Sequence, residues 1–94
     1  MKCEYHVWCD LYIDKQCVDE VRIVGTSTIP YNPPKGHEIY ITEDMFTVIN
    51  TSWDDGRQML EIHINGGDTY SDRAAFEANI QAWETYGWTI ERNP

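Results

Sequence analysis

The first fourteen residues alternate in polarity. Odd positions Cys3, Tyr5, Val7, Cys9, Leu11 and Ile13 are apolar, whereas even positions Lys2, Glu4, His6, Trp8, Asp10, Tyr12 and Asp14 are charged, polar or amphipathic. A period of two held over twelve residues belongs to a strand with one face on a core and one in water, and it is incompatible with the 3.6-residue period of a helix. Asp14-Lys15-Gln16 reads as a tight turn. Cys17 to Val24 follows as a second strand with Val21 and Ile23 inward, so the two form an antiparallel hairpin. The chain is thereby committed to a half-buried sheet, and its remaining apolar residues must cover that sheet's inner face.

The next segment, Gly25 to His37, reads as one long irregular stretch. It holds three of the four prolines and two glycines, residues poorly suited to central strands. Glu38 to Thr42 has the composition of a short strand. Thr42-Glu43-Asp44 could cap a helical turn, but Phe46-Thr47-Val48-Ile49 has strand composition and strand is preferred. Asp54-Asp55-Gly56-Arg57 suits a hairpin turn, with Gly56 free to take positive φ. Gln58 to Asn65 then places Leu60, Ile62 and Ile64 on one face and Met59, Glu61 and His63 on the other.

After Gly66-Gly67-Asp68 the period changes. Thr69 or Ser71 can cap a helix from Asp72 to Tyr86, whose apolar arc holds Ala75, Phe76, Ile80, Ala82, Trp83 and Tyr86. Asn79 falls inside that arc and requires a hydrogen-bond partner. Gly87 reads as the left-handed residue that ends the helix, with Trp88 folding back onto Trp83. Trp88 to Glu91 forms a last strand with Trp88 and Ile90 inward. The expected fold is α+β, in two layers: an antiparallel-rich sheet of about five to six strands packed by a single C-terminal amphipathic helix, in the order β-β-loop-β-β-β-α-β.

At 94 residues the chain is read as a single domain, 1–94, because one core is all it can build. Sixteen acidic residues against seven basic ones give a net charge of −9. Such a surface repels phosphate, which disfavours direct nucleic-acid binding, and it attracts basic partners. No apolar run is long enough for a membrane span and no signal-peptide core opens the chain, so a cytoplasmic protein with no membrane partner is expected. The three cysteines, Cys3, Cys9 and Cys17, are then buried thiols rather than a disulfide framework.

Metal and cofactor chemistry is not expected. Cys3 and Cys9 lie six apart on one strand face and His6 lies on the other, so these donors cannot converge without help from a second strand. The acid pairs lack the spacing of a calcium loop, and Gly66-Gly67-Asp68-Thr69 lacks the phosphate-loop lysine. No catalytic residue is assigned.

Two features point to partner binding. The first is the outward face of the first strand, where Trp8 and Tyr12 interleave with Asp10 and Asp14. Aromatic anchors flanked by acids suit a basic partner. The second is the proline-rich loop, with Tyr31 at its tip, and Asp54 and Asp55 add secondary acids. The alternative for the loop is a plain crossover that uses Ile29 and Tyr31 to plug the core. The expected function is a non-catalytic protein-binding module, an acidic inhibitor or adaptor that occludes a basic, nucleic-acid-binding surface of another protein. In size and charge alone it is comparable to the small acidic anti-defence inhibitors of phages, of the anti-CRISPR type. The alternatives are a small enzyme or ligand-binding domain using His37 and His63 beneath the loop, and a self-assembling subunit whose edge strands pair as a homodimer.

Overall fold

A computed structural model describes residues 1–41 and 43–92 of the chain. Among these the fold is mixed α+β, an open sheet of seven strands with one helix near the C-terminus. The strands are β1 (Lys2–Ile13), β2 (Gln16–Thr28), β3 (Glu38–Ile41), β4 (Asp44–Asp54), β5 (Met59–Ile64), β6 (Thr69–Tyr70) and β7 (Thr89–Arg92), and the helix α1 (Arg73–Thr85) lies between β6 and β7. The chain divides into two units, one made of Met1–His6 with Thr26–Gly66, the other of Val7–Gly25 with the chain from Gly67 onward.

In the first unit, β4 pairs antiparallel with both β3 and β5. The opening of β1 lies parallel to β5, with Cys3 opposite Leu60 and His6 opposite His63. Alternation dictates what is buried: Leu60, Ile62 and Ile64 turn inward with Cys3, Tyr5 and Val48. Burial pushes the Tyr5 hydroxyl up to about 12 and raises the Cys3 thiol, so neither ionises at neutral pH. Ile49 is an extra residue in the β4–β5 ladder, where the register shifts between Val48 and Asn50.

In the second unit, β1 turns into β2 through Asp14 and Lys15, whose φ values of 52° and 65° are both positive. That pair of angles is the two-residue turn whose twist matches the flanking strands, here adopted without glycine. β2 pairs antiparallel with β7, and Asp10 and Leu11 of β1 pair parallel with β6. Helix α1 buries Phe76 and Ile80. Phe76 meets the edge of Tyr70, and Asn79 Nδ2 donates to Cys9 Sγ at 3.4 Å. The polar residue within the arc thus finds its partner in a thiol that burial keeps protonated.

The helix ends as its sequence requires. Gly87 has φ +94°, its N–H donates to Glu84 O at 3.0 Å, and the Trp88 N–H donates to Trp83 O at 3.2 Å. This double bond pattern is the Schellman arrangement, and the two indoles meet edge to face at 4.8 Å between ring centroids.

Several expectations need correction. The irregular stretch begins at Ile29, because β2 continues through Gly25 to Thr28. A Cβ on Gly25 would lie 2.8 Å from Cζ3 of Trp88, so glycine serves here to admit an indole against a strand. Pro33, rather than Ile29 or Tyr31, is the fully buried residue of the loop. The helix is capped by Asp72, whose carboxylate accepts from the Ala74 N–H, because Thr69 belongs to the short strand β6. Ala75, Ala82 and Tyr86 are exposed, so the buried stripe is narrower than the apolar arc. In the turn after β4 the positive φ falls on Gln58 and not on Gly56. Ile13 and Cys17 are exposed. The alternative cap at Thr42 lies outside the described residues, and β4 opens at Asp44.

Candidate partner-binding surface

Strand β1 carries the candidate face in the second unit. Trp8 and Tyr12 are 37% and 40% exposed, and Asp14 is exposed in the turn that follows. Asp10, between the two aromatics, is half-buried, and its Oδ1 is a buried oxygen with no hydrogen-bond partner among the described residues. The strand is held along its edge by close backbone contact. Asp10 N–H donates to Asp68 O at 3.1 Å, and Gly67 presses so near the Trp8 carbonyl that a Cβ there would fall 1.7 Å from its oxygen.

The Trp8 ring already holds a cation. The Arg22 guanidinium carbon sits 5.7 Å from the ring centroid, and Arg22 Nε donates to Glu91 Oε2 at 2.6 Å. An indole stacked by a guanidinium and backed by a carboxylate is a working example of how this face accepts positive charge. Tyr12 is raised in pKa, chiefly by the neighbouring Cys17, with Asp10 and Glu20 adding to it, so its hydroxyl stays neutral and can donate.

The remaining residues expected to bind lie in the first unit and have local roles. Tyr31 is 44% exposed, and its Oη shares a 3.0 Å hydrogen bond with His37 Nε2. Asp54 accepts from the Arg57 backbone N–H and from Arg57 Nε, which stitches the β4–β5 turn together. Asp55 accepts from Trp53 Nε1 and Gln58 Nε2 in the same turn. Trp8, Asp10, Tyr12 and Asp14 therefore share one strand and its turn, while Asp54, Asp55 and Tyr31 are separated from them in the chain and engaged in their own loops.

Sequence reasoning missed a second constellation. His6, an even-numbered residue expected to face water, is only 3% exposed. Its Nε2 lies 2.8 Å from Glu4 Oε1, and Glu4 receives both Nη1 and Nη2 of Arg57 at 2.9 Å each. Arg57 also reaches Asp54 and Glu61, so one guanidinium gathers three carboxylates. The Arg57 guanidinium beside Glu4 holds its carboxyl below the ordinary glutamate range. Because Glu4 is then an acceptor only, His6 Nε2 carries the proton and donates. His6 Nδ1 is buried and has no hydrogen-bond partner among the described residues. Alternation alone could have found Glu61 and His63 as an outward pair, but only the parallel register with β5 sets them beside His6.

A pH signature follows from Glu4. A carboxylate whose folded pKa is depressed adds stability above its unfolded pKa and loses it as pH falls through the folded value. Arg57→Ala is therefore expected to unfold at lower urea than the parent at pH 7, with the gap closing below about pH 4, where glutamates take up protons in both states. Urea titrations at pH 7 and pH 3 check this, and a gap of equal size at both would assign the effect to packing.

No protein-family model matches the chain, and no curated protein and no solved structure is detectably similar to it. No helix among the described residues is long and apolar enough to cross a membrane.

Proposed function

We propose that the chain is a non-catalytic protein-binding module whose acidic, aromatic β1 face occludes a basic surface on a partner protein, of the kind that otherwise grips nucleic acid. The observation that carries this reading is the Trp8 ring, exposed on a strand that also carries Asp10 and Tyr12 and leads into Asp14, and already stacked by Arg22. A partner arginine or lysine can use the same chemistry. The chain's charge of −9 would steer such a partner in and repel free nucleic acid. Inhibitor or adaptor is the expected role, because the proposed face offers exposed aromatic anchors on a strand and no enclosed cavity is needed for the interaction.

The test starts with a tagged pull-down from host lysate at low and high salt. A basic, nucleic-acid-binding protein retained at low salt and shed at high salt supports the reading, since screening acts on exposed charges. No specific partner at either salt overturns it. With the partner in hand, Asp10→Lys with Asp14→Lys is expected to lower the association rate by roughly tenfold or more, while Trp8→Ala acts mainly by speeding dissociation. Circular dichroism of both variants confirms that they are folded. Unchanged kinetics in both would remove the β1 face from the interface.

A further inference from the structure

We propose that His6, His63 and Glu61 in the first unit form a binding site for a divalent transition metal of the zinc class. One ligand atom from each of the three lies within 4.8 Å of the other two. The two imidazoles are adjacent, with ring centroids 5.1 Å apart and planes inclined at 64°. Two histidines and one carboxylate are a donor set that zinc accepts, with a fourth position left for water or another ligand.

The independent observation is His6 itself. A buried imidazole nitrogen with no partner is a costly thing to leave in a core, and among the described residues Nδ1 of His6 is such a nitrogen. The other nitrogen is already committed to Glu4, and Glu4 to Arg57. Metal-bound histidines characteristically donate their second ring N–H to a carboxylate, which fixes the tautomer and makes the ligating nitrogen more basic. Arg57–Glu4–His6 reproduces that support, leaving the Nδ1 lone pair available to a metal. Bonds of 2.0–2.2 Å in a tetrahedral site set donor spacings of roughly 3.3 Å, and one donor atom of each residue already lies within 4.8 Å of the others. Glu61 is held by Arg57 and by Ser52 Oγ, which orients its carboxylate while leaving lone pairs on both oxygens. His63 and Glu61 are half-buried, which gives an ion a path in.

This reading is separate from partner binding and stands or falls alone. Asp10, Cys17 and Glu20 in the second unit also bring donors within 4.8 Å, so the experiment is done in the Cys17→Ser protein to exclude a thiolate site. Isothermal titration with Zn2+ is expected to show one site per chain, together with a raised unfolding temperature at saturating zinc. His63→Gln is expected to weaken binding by about 100-fold or more. Glu4→Gln should weaken it by roughly 10- to 100-fold although Glu4 touches no metal, the mark of a positioning residue. Ca2+, which prefers all-oxygen sites, should give no such binding. His63→Gln and Glu61→Gln sit at half-buried positions and serve as the folded variants should His6→Ala fail to fold. Zinc binding that is absent, that disappears with Cys17→Ser, or that is unchanged in both His63→Gln and Glu61→Gln overturns the proposal.

Discussion

Gly67→Ala is expected to destabilise the protein by about 3 kcal/mol or more, a large share of the roughly 5–15 kcal/mol available to a domain of this kind. The cause is space. A Cβ at this position would lie 1.7 Å from the Trp8 carbonyl oxygen and 2.8 Å from its carbon, both backbone atoms that cannot rotate aside. The segment from Gly67 must therefore retreat from β1, which breaks the Asp10 to Asp68 bond and the short β1–β6 pairing. Thermal unfolding should show a midpoint lowered by more than roughly 10 °C. Gly87→Ala is the comparison, because there a Cβ meets nothing and only the left-handed φ of 94° is strained, at a cost of about 1–2 kcal/mol. A Gly67→Ala midpoint within a degree or two of the parent would mean that the two backbones do not approach this closely. Since the displaced residue abuts the Trp8 backbone, the same variant should also weaken partner capture without altering any side chain of the β1 face.

Phe76→Ala is the second large effect. Phe76 is completely buried on α1 and meets Tyr70, so truncation leaves a cavity and is expected to cost about 3–5 kcal/mol. Tyr86→Ala removes a side chain of similar size from the same apolar arc, yet Tyr86 is 82% exposed and its loss should change stability by no more than about 0.5 kcal/mol. Urea denaturation of the pair separates the two positions. Equal losses would mean that Tyr86 packs against something in solution.

That contrast shows what could be read from residues alone. The period of β1, the alternation of β5, the start of the helix near residue 72 and its Gly87-Trp88 ending all follow from local rules, since each depends on neighbours a few residues away. Periodicity gives direction and not depth. It placed Tyr86 in the arc of Phe76, but α1 buries only Phe76 and Ile80 and leaves Tyr86 in water. It put His6 on the outward face, and nothing local announced that this face would be covered there. β6 is two residues long and has no period to detect. Gly25 looked like a loop residue because the indole that requires it is far away in sequence at Trp88. The candidate surface fared in the same way. Trp8, Asp10, Tyr12 and Asp14 were legible because one strand and its turn carry them, whereas the group of His6, Glu61 and His63 depends on a pairing that no short-range signal encodes.

The parallel pairing of β1 also has a consequence for how the chain acquires its structure during synthesis. Cys3 waits for Leu60 and Asp10 waits for Thr69, so β1 finds its two parallel partners only after about 55 to 60 further residues have followed it. Until then it can pair only with β2, through the hairpin at Asp14–Lys15. Contacts this distant make folding slow relative to chains of equal size with local contacts. During that interval the unpaired edge of β1 is exposed to pairing with other nascent chains, and yield in the cell should depend on how quickly residues 59–70 are delivered.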